Sequence, residues 1–259
     1  MQGHQPRKRF GQNFLADAHY VRRIVDAIAP HPGERLVEIG PGLAALTRPL
    51  IERAGRLDAV EIDRDLAGRL ASEFGTDQLT LHVADALEFD FAALGAGLRV
   101  IGNLPYYISS PLLFHLAQYD ALITDVHVML QKEVVERMTA LPGTPEYGRL
   151  TVMLQAVFRI TRLFTVPAGA FRPVPKVDSS VVRLVPLREA KATISDVALF
   201  GRVVAAAFGQ RRKTMRNALS TICDEAGLER AGIDPGVRGE TLSVAEFVRL
   251  ANDLAGRAA

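Results

Sequence analysis

Short apolar segments alternate with amphipathic segments between residues 35 and 140, and this alternation limits the possible folds more than any other feature of the sequence. Strand-like apolar runs lie at 35–40, 57–62, 79–84, 98–102 and 125–130. Apolar residues recur at helical spacing in 15–29, 43–54, 65–74, 110–119 and 132–140. The pattern predicts an α/β fold in which right-handed crossovers join the strands of a mainly parallel sheet, with helices on both faces.

The alternation ends after a predicted helix at 149–158. Two strand-like runs, 159–166 and 180–187, follow with no helix between them, and this predicts an antiparallel edge of the sheet. Three predicted helices remain, at 195–210, 214–230 and 243–257, and Ser243 to Glu246 forms the capping-box pattern that opens the last one. We therefore predict an α/β domain over 1–187 and a small all-α domain over 188–259.

Composition excludes several classes of protein. The chain has 259 residues, 31 basic and 29 acidic, and 48% of them are hydrophobic, which is typical of a globular chain rather than a disordered one. The longest stretch without a charged residue, 100–119, contains Asn, Gln, Ser and Pro residues, which argues against a membrane span. The basic N-terminus lacks the apolar run of a secretory signal, so we expect a cytoplasmic protein. The single cysteine, Cys223, cannot form an internal disulfide, and no metal site is expected.

Positive charge is concentrated in two parts of the chain. The segment 202–216 has five basic residues and no acid, namely Arg202, Arg211, Arg212, Lys213 and Arg216. A second segment, 159–188, has six basic residues, among them Lys176, and one acid, Asp178. Clustered positive charge releases counterions from a phosphate backbone, so both segments are candidate polyanion-binding surfaces.

A glycine-rich turn follows the first predicted strand. Residues 40–45 read Gly-Pro-Gly-Leu-Ala-Ala and fit the pattern G-x-G-x-x-A, in which the missing side chains allow a ligand to approach the backbone. Glu61 lies 21 residues after Gly40, near the end of the next strand, where an acid can accept hydrogen bonds from both hydroxyls of a ribose. Asp63 is the competing acid, but its place just before a helix suits an N-cap, so we assign the ribose to Glu61.

The third and fourth strands also end in polar residues, Asp85 and Asn103. The carboxyl ends of strands in an open parallel sheet line one crevice. A glycine, two acids and an amide at four such ends predict a nucleoside pocket. A dinucleotide-binding enzyme would also use Gly40, Gly42 and Glu61, so up to this point a nicotinamide-dependent oxidoreductase is a serious alternative.

The segment Asn103-Leu104-Pro105-Tyr106 separates these two interpretations. An exocyclic adenine amine is a poor nucleophile, because its lone pair is delocalised into the ring, and acceptors on both N–H groups favour its attack. We predict that the Oδ1 of Asn103 and the carbonyl of Leu104 are those acceptors. Pro105 would fix the turn, and Tyr106 would stack on the extruded base.

Five segments together resemble the ribosomal RNA adenine dimethyltransferases. They are Phe10–Leu15 (FGQNFL), Val37–Gly42 (VEIGPG), Asn103–Tyr106 (NLPY), Leu130–Glu133 (LQKE) and Phe171–Ser179 (FRPVPKVDS). The resemblance covers nearly the whole chain and is closest to the bacterial small-subunit branch of the family. It implies a class I S-adenosylmethionine-dependent methyltransferase fold, which is Rossmann-like, with a small helical C-terminal domain that binds RNA. The implied activity is dimethylation of N6 on two adjacent adenines in the 3′-terminal hairpin of 16S rRNA, within the small ribosomal subunit or its precursor, with a role in subunit biogenesis. We expect a monomer.

The resemblance also implies roles for individual residues. Asn13 and Leu15 would lie against the S-adenosylmethionine, Gly40 would meet its methionine part, Glu61 its ribose and Asp85 its adenine. Asn103 would contact both the cofactor and the target amine. Phe171 occupies the position of an aromatic that faces Tyr106 across the base, although its spacing fits a core residue equally well. Tyr107 departs from relatives that often carry Asn there, and we assign it no catalytic role.

Three alternatives stay open at the level of sequence. The first is a resistance-type methyltransferase of 23S rRNA, which shares the cofactor and an NLPY-like motif. The second is a ribosome assembly factor that binds immature small subunits and in which methylation is secondary. The third is the nicotinamide-dependent oxidoreductase, which would bind NADH. No general base is expected, and His82, His115 and His127, which lie on apolar strands or helices, are predicted to be structural residues with satisfied ring nitrogens.

Overall fold

The computed structural model describes residues 12–188, 193–210 and 212–258. The chain forms two compact units, one made of Met1–Val135 and Thr161–Pro186 and the other of Glu136–Ile160 and Leu187–Ala259. The division into 1–187 and 188–259 stays a prediction, and these units differ from it in placing 136–160 with the C-terminal segment. The basic N-terminal residues Arg7, Lys8 and Arg9, and Arg211 of the basic segment 202–216, lie outside the described residues, as do Phe10 and Gly11.

The strands form a small and a large sheet. Their bounds are β1 Phe14–Leu15, β2 Arg35–Ile39, β3 Leu57–Glu61, β4 Leu79–Val83, β5 Leu98–Asn103, β6 Ile123–Gln131, β7 Phe158–Val166, β8 Phe171–Arg172 and β9 Ser179–Pro186. The large sheet has the order β4-β3-β2-β5-β6-β9-β7, and β1 pairs with β8 separately. The first five strands in this order, from β4 through β3, β2 and β5 to β6, are parallel to their neighbours, whereas β9 is antiparallel to β6. The predicted parallel sheet with an antiparallel edge is confirmed.

The helices connect the strands in the predicted alternation. Their bounds are α1 Ala18–Ile28, α2 Thr47–Ala54, α3 Arg64–Glu73, α4 Ser109–Leu116, α5 Lys132–Met138, α6 Arg149–Gln155, α7 Val197–Gly209, α8 Met215–Ala218, α9 Glu225–Arg230 and α10 Val244–Ala258. The predicted capping box is present at α10, where the backbone N–H of Ser243 donates to Glu246 Oε2 at 2.7 Å and the N–H of Glu246 donates to Ser243 Oγ at 3.3 Å.

Three sequence-based predictions of helices are wrong. The helix predicted from residue 43 begins at Thr47, because residues 42–46 form a turn in which Gly42 and Ala44 have positive φ angles. The helix predicted from residue 15 begins at Ala18, because Asp17 caps it by accepting from the N–H of His19, and Leu15 belongs to β1. The helix predicted over 214–230 is two short helices, α8 and α9. The second is started by Asp224, whose carboxylate accepts a hydrogen bond from the N–H of Gly227 at 2.9 Å. Tertiary pairing and a capping side chain override helical periodicity at these places.

Each unit has its own apolar core. In the first unit, α1 and α2 pack against the sheet through residues that include Ile24, Leu50 and Leu57. In the second unit, α6, α7 and α10 pack together, and the buried Tyr147 hydroxyl donates to the carbonyl of Leu242 at 2.7 Å. No helix in the described ranges is long and apolar enough to cross a membrane.

The three histidines differ in their partners. A ring nitrogen of His82 lies 3.0 Å from Asp58 Oδ1, and one of His115 lies 2.9 Å from the carbonyl of Phe89, as expected for satisfied structural histidines. His127 contradicts that expectation, because it is 2% exposed and neither ring nitrogen has a hydrogen-bond partner among the described residues. Burial lowers its pKa to about 4, so the ring is neutral at physiological pH.

Candidate active site

The carboxyl ends of β2, β3 and β5 open onto one cavity in the first unit, together with β1 and the segment that follows β4. Most of the site residues predicted from the sequence line this cavity: Asn13, Leu15, Gly40, Glu61, Asp85, Asn103, Leu104 and Tyr106. The topology explains the convergence, because parallel strands place their carboxyl ends at the same edge of a sheet.

The glycine-rich turn lies at the end of β2. Gly40 and Gly42 both have positive φ angles, +67° and +57°, which favour glycine. A Cβ on Gly42 would lie 3.0 Å from Cε1 of Phe14, so the turn packs closely against β1. Ala44 also has a positive φ, +63°, although it carries a side chain. Such strain in a non-glycine residue is characteristic of ligand-binding turns.

Glu61 lies at the end of β3 and is nearly buried. Its Oε2 accepts a hydrogen bond from the N–H of Gly42 at 3.3 Å, and its Oε1 accepts one from the N–H of Asp63 at 2.9 Å. Burial raises the pKa of Glu61, and the nearby Asp63 acts in the same direction. Each carboxylate oxygen can accept a second hydrogen bond, so the side chain is fixed in place and can still receive two hydroxyl donors.

Asp63 has the role of a helix cap. Its Oδ1 accepts from the N–H of Asp65 at 3.0 Å at the start of α3, and Gln12 donates to its Oδ2 at 3.3 Å. Asp63 is fully buried and is absent from the residues that line the cavity. The predicted N-cap role of Asp63 is confirmed, and the ribose contact of Glu61 stays a prediction.

Asp85 follows β4 at the cavity wall. Its Oδ1 accepts a hydrogen bond from the N–H of Leu87 at 2.9 Å, which fixes the carboxylate. Tyr107 lines the same cavity and is 57% exposed, and burial of part of its ring and the charge of Asp85 raise its pKa. A carboxylate held in this way presents acceptor oxygens to an exocyclic amine.

Asn103 ends β5, and its amide orientation is defined by Asn13, the residue before β1. The Nδ2 donates to the backbone carbonyl of Asn13 at 3.0 Å. Because the amide nitrogen is engaged there, the Oδ1 is the atom left to act as an acceptor toward the cavity.

The next residue, Leu104, is held by the neighbouring strand. Its N–H donates to the carbonyl of Met129 on β6 at 3.2 Å, and its side chain is buried. A Cβ on Gly102 would lie 2.7 Å from Cδ2 of Leu104 and 2.9 Å from the carbonyl oxygen of Ile39. The end of β5 and the turn that follows it therefore pack closely against their neighbours, and there is no space for a side chain at Gly102.

Tyr106 lines the cavity, but Phe171 does not. The Tyr106 hydroxyl lies 3.0 Å from Ser179 Oγ, and burial raises its pKa. Phe171 is 1% exposed, pairs with Leu15 across the β1–β8 ladder and belongs to the apolar core. Of the two roles that the sequence left open for Phe171, the structure places its side chain in the core, and a role at the base stays a prediction.

Glu38 is a cavity residue to which sequence reasoning assigned no role. It lies on β2, is 2% exposed and accepts a hydrogen bond from Thr47 Oγ1 at 2.7 Å. Burial raises its pKa to about 7. A charged residue inside an apolar strand was the available signal, since such a residue is buried only when it has a partner or a function.

The predicted basic segment 202–216 lies in the second unit. Arg202, Arg212, Lys213 and Arg216 are exposed, and Arg216 pairs with Glu225 at 3.1 Å. An isolated antiparallel bridge between Thr214 and Arg238 places the exposed Arg238 beside this segment. Arg238 lies 22 residues after Arg216, the last basic residue of the segment, so a search for runs of charge in the sequence does not detect it.

A model of the ribosomal RNA adenine dimethylase family matches residues 3–256. The chain belongs to this family. It is 61% identical over 257 residues to the "Ribosomal RNA small subunit methyltransferase A" of Aromatoleum aromaticum, and the match covers 99% of this chain and 97% of that protein. A protein of the same name from Thiobacillus denitrificans is 57% identical over 98% of this chain and its own full length.

Solved structures agree with this fold. A dimethyladenosine transferase from Plasmodium falciparum superposes with a TM-score of 0.79 and 24% identity, covering 92% of this chain and 95% of that one. The 23S rRNA methyltransferase ErmE gives a TM-score of 0.69 and 27% identity, covering 94% of this chain and all of that one. As a member of the dimethylase family, the chain is an rRNA adenine methyltransferase that uses S-adenosylmethionine.

The residues at the cavity suit that cofactor by their donor and acceptor chemistry. The glycine turn leaves its backbone accessible, since a Cβ on Gly40 would meet nothing within 4 Å. The fixed carboxylates of Glu61 and Asp85 offer acceptors for ribose hydroxyls and for an adenine amine, respectively. The chemistry at three successive strand ends thus fits a nucleoside.

Proposed function

We propose that the protein dimethylates N6 of two adjacent adenines in the 3′-terminal hairpin of 16S rRNA, in the cytoplasm, as part of small-subunit biogenesis. The substrate is the rRNA within the small subunit or its precursor, and the enzyme acts as a monomer. The observation that carries the chemistry is the Asn103 amide, whose nitrogen is held by the carbonyl of Asn13 so that its oxygen serves as an acceptor. The small-subunit substrate follows from the names of relatives that are 57–61% identical.

The cofactor is bound by residues of the first unit. Asn13 and Leu15 lie against it, Gly40 meets the methionine part, Glu61 the ribose and Asp85 the adenine, while Asn103 contacts both cofactor and substrate. Bound S-adenosylmethionine supplies a methyl group that is activated by its positive sulfur.

The chain contributes orientation and preplaced acceptors. Asn103 Oδ1 and the carbonyl of Leu104 accept the two N–H hydrogens of the target amine, so the nitrogen becomes tetrahedral and its lone pair points along the line of attack. Positive charge that develops on nitrogen then meets oxygen atoms already in place, which lowers the barrier without reorganisation. The proton is shed to water after transfer, and the site needs no strong base.

We assign recognition of the target adenine to stacking on an aromatic side chain. Tyr106 stacks on the extruded adenine, and its place at the cavity wall supports this role. Phe171 is the second candidate, but its burial in the core supports a packing role.

RNA is held through phosphates rather than bases. The contacts come from the segment Arg202–Arg216 with the adjacent Arg238, from the exposed Lys176 of the first unit, and from the basic residues 7–9, which lie outside the described part of the chain. Binding should therefore depend steeply on salt.

The activity is tested with labelled S-adenosylmethionine and two substrates, unmodified small subunits and 23S rRNA. Nucleosides from each digested RNA are analysed by mass spectrometry. N6,N6-dimethyladenosine from the small subunit alone is the expected result. Label in 23S rRNA alone would move the protein to the resistance-type branch, and tight cofactor binding with no transfer would favour the assembly-factor alternative. Affinity for NADH, with no response to S-adenosylhomocysteine, would favour the oxidoreductase alternative.

The oligomeric state is tested on the same preparation. Light scattering measures the molar mass, and the mass of a single chain is the expected result.

A further inference from the structure

The hydroxyl of Tyr106 is tied to a distant part of the chain. It lies 3.0 Å from Oγ of Ser179, a fully buried serine 73 positions later that begins β9. Neither hydroxyl makes another hydrogen bond in the part of the chain that the structure describes. The contact fixes the far end of a ring whose near end is fixed by the Asn103–Tyr106 turn.

Ser179 is itself firmly placed. It pairs with Gln131 at the start of the antiparallel β6–β9 ladder. The preceding residue, Asp178, accepts a hydrogen bond from the N–H of Lys132 through its backbone carbonyl at 3.0 Å and one from the N–H of Ala168 through its side chain at 3.0 Å. The hydroxyl of Ser179 is thus presented to Tyr106 by a rigid strand end rather than by a free loop.

One strand, β6, carries both supports of the Tyr106 ring. Its Met129 carbonyl holds the N–H of Leu104, and its Gln131 pairs with Ser179 two residues further along. A tyrosine side chain has two rotatable bonds, and fixing both the turn and the hydroxyl restricts rotation about each. A phenylalanine would keep the stacking surface but lose the second support.

We propose that Ser179 is a positioning residue, which holds the Tyr106 ring in the orientation that stacks on the target adenine. This inference rests on the proposed function for its effect on catalysis. Ser179 does not touch the substrate and acts through Tyr106 alone. Loss of one hydrogen bond slows the reaction roughly three- to tenfold when that bond stabilises the transition state.

The neighbouring serine provides a matched control. Ser180 is also fully buried, but its Oγ has no hydrogen-bond partner among the described residues. Ser179→Ala and Ser180→Ala therefore remove the same atom from the same strand, at equal burial, and differ in whether that atom contacts Tyr106.

The kinetic test is a double-mutant cycle with Ser179→Ala, Tyr106→Phe and the double variant. We expect each single substitution to lower kcat by about three- to tenfold and the double variant to be no slower than either. The affinity for S-adenosylmethionine should stay at the wild-type value, and the Tm should fall by no more than a few degrees in the variants that lose the hydrogen bond. Ser180→Ala should keep wild-type kcat. Unchanged kcat in Ser179→Ala, or multiplicative losses in the double variant, would overturn the inference.

A second readout needs no RNA. The chain has five tyrosines, so 19F NMR of protein labelled with 3-fluorotyrosine gives few signals, and Tyr106→Phe identifies the one that belongs to Tyr106. We expect that signal to move or broaden in Ser179→Ala and to stay in place in Ser180→Ala. An unmoved signal would contradict the positioning role. If the wild-type enzyme methylates neither RNA, the proposed function fails, while the NMR comparison still decides whether Ser179 orients the ring.

Discussion

Asn103 Nδ2 donates to the backbone carbonyl of Asn13 at 3.0 Å, so a residue at the end of β5 takes its orientation from the main chain of another segment. The acceptor is a carbonyl, which a side-chain substitution at Asn13 leaves in place. This arrangement separates the orientation of the Asn103 amide from the cofactor contacts proposed for the Asn13 side chain.

Asn103→Ala should lower kcat by at least about 100-fold, because it removes an acceptor placed where charge develops. Asn13→Ala should weaken cofactor binding and leave kcat nearly unchanged once S-adenosylmethionine is saturating. Single-turnover methylation and calorimetric titration with the cofactor measure the two effects. If Asn13→Ala lowered the saturated rate as much as Asn103→Ala, its backbone carbonyl would not be what orients the amide. Asn103→Ala should still bind the small subunit, which separates catalysis from assembly.

Gly102→Ala should reduce activity by distorting the turn that carries Leu104. The added Cβ would lie 2.7 Å from Leu104 Cδ2 and 2.9 Å from the carbonyl oxygen of Ile39, so a side chain and the backbone must both shift. Displacement of an acceptor by about 1 Å can reduce the rate about 100-fold. We expect a loss of at least tenfold in kcat and a lower Tm.

Gly201→Ala is the matched control for that substitution. Gly201 lies within α7, where the new Cβ would meet only Met153 Cε at an ordinary 3.7 Å. Alanine should stabilise the helix by about 0.5–1 kcal/mol, with activity unchanged. Equal losses at Gly102 and Gly201 would show that general sensitivity to alanine, rather than crowding at Leu104, causes the effect.

Glu38 should make stability depend on pH near neutrality. Burial raises its pKa from 4.5 to about 7 in the folded state, so the folded protein binds the proton more tightly than the unfolded chain. The contribution of Glu38 to the free energy of unfolding is fully present below pH 4.5 and is lost as the pH rises through about 7. The difference corresponds to about 3 kcal/mol, at about 1.4 kcal/mol for each pH unit.

Urea unfolding of the wild type and Glu38→Gln at pH 5.5 and 8.5 measures this dependence. We expect the wild type to lose stability relative to Glu38→Gln at the higher pH, because the amide does not ionise and can still accept from Thr47. Glu133→Gln, at an exposed position of α5, is the control and should track the wild type. Parallel behaviour of all three proteins would show that Glu38 titrates alike in the folded and unfolded states.

The strand ends were predictable because their signals are local. Apolar runs that stop at Gly40, Glu61, Asp85 and Asn103 mark both the sheet and the polar edge that faces the cavity, and the observed strands end within two residues of these positions. The contrast between Glu61 and Asp63 followed from the same logic, because a capping position can be recognised from the helix pattern that follows it.

Non-local contacts account for what the sequence did not predict. The β1–β8 ladder joins two-residue strands, which are too short to show periodicity, and it explains both the position of Leu15 and the burial of Phe171. The Tyr106–Ser179 contact spans 73 residues. In 214–230 no glycine or proline interrupts the apolar pattern before Gly227, so the local signal of the break between α8 and α9 is the capping residue Asp224 alone.

Charge reversal at Arg212 and Lys213, together with Arg211, should weaken RNA binding and leave cofactor binding intact. Each lost phosphate contact lowers the slope of log affinity against log salt by about 0.7–0.9. Reversal of Arg22 and Arg69, exposed residues of α1 and α3, is the control and should have a smaller effect. Filter binding to small-subunit RNA across a salt series measures both slopes. Unchanged affinity in the triple variant would remove this surface from the proposal.

Glu61→Gln should weaken S-adenosylmethionine binding by roughly 10- to 100-fold, because a ribose hydroxyl loses a charged acceptor in a buried site. Asp63→Ala is the informative comparison. Both acids are buried and two residues apart, but Glu61 lines the cavity while Asp63 faces the start of α3 and accepts from the N–H of Asp65. Loss of that cap should cost about 1 kcal/mol of stability and leave cofactor affinity close to that of the wild type.

Calorimetric titration and thermal unfolding of the two variants therefore give opposite patterns if the assignment is right. Glu61→Gln changes the Kd more than the Tm, and Asp63→Ala changes the Tm more than the Kd. Because Glu61 Oε1 also accepts from the N–H of Asp63, a small effect of each substitution on the other property is expected. A larger loss of affinity in Asp63→Ala than in Glu61→Gln would transfer the ribose contact to Asp63 and leave Glu61 with the structural role of fixing the glycine turn.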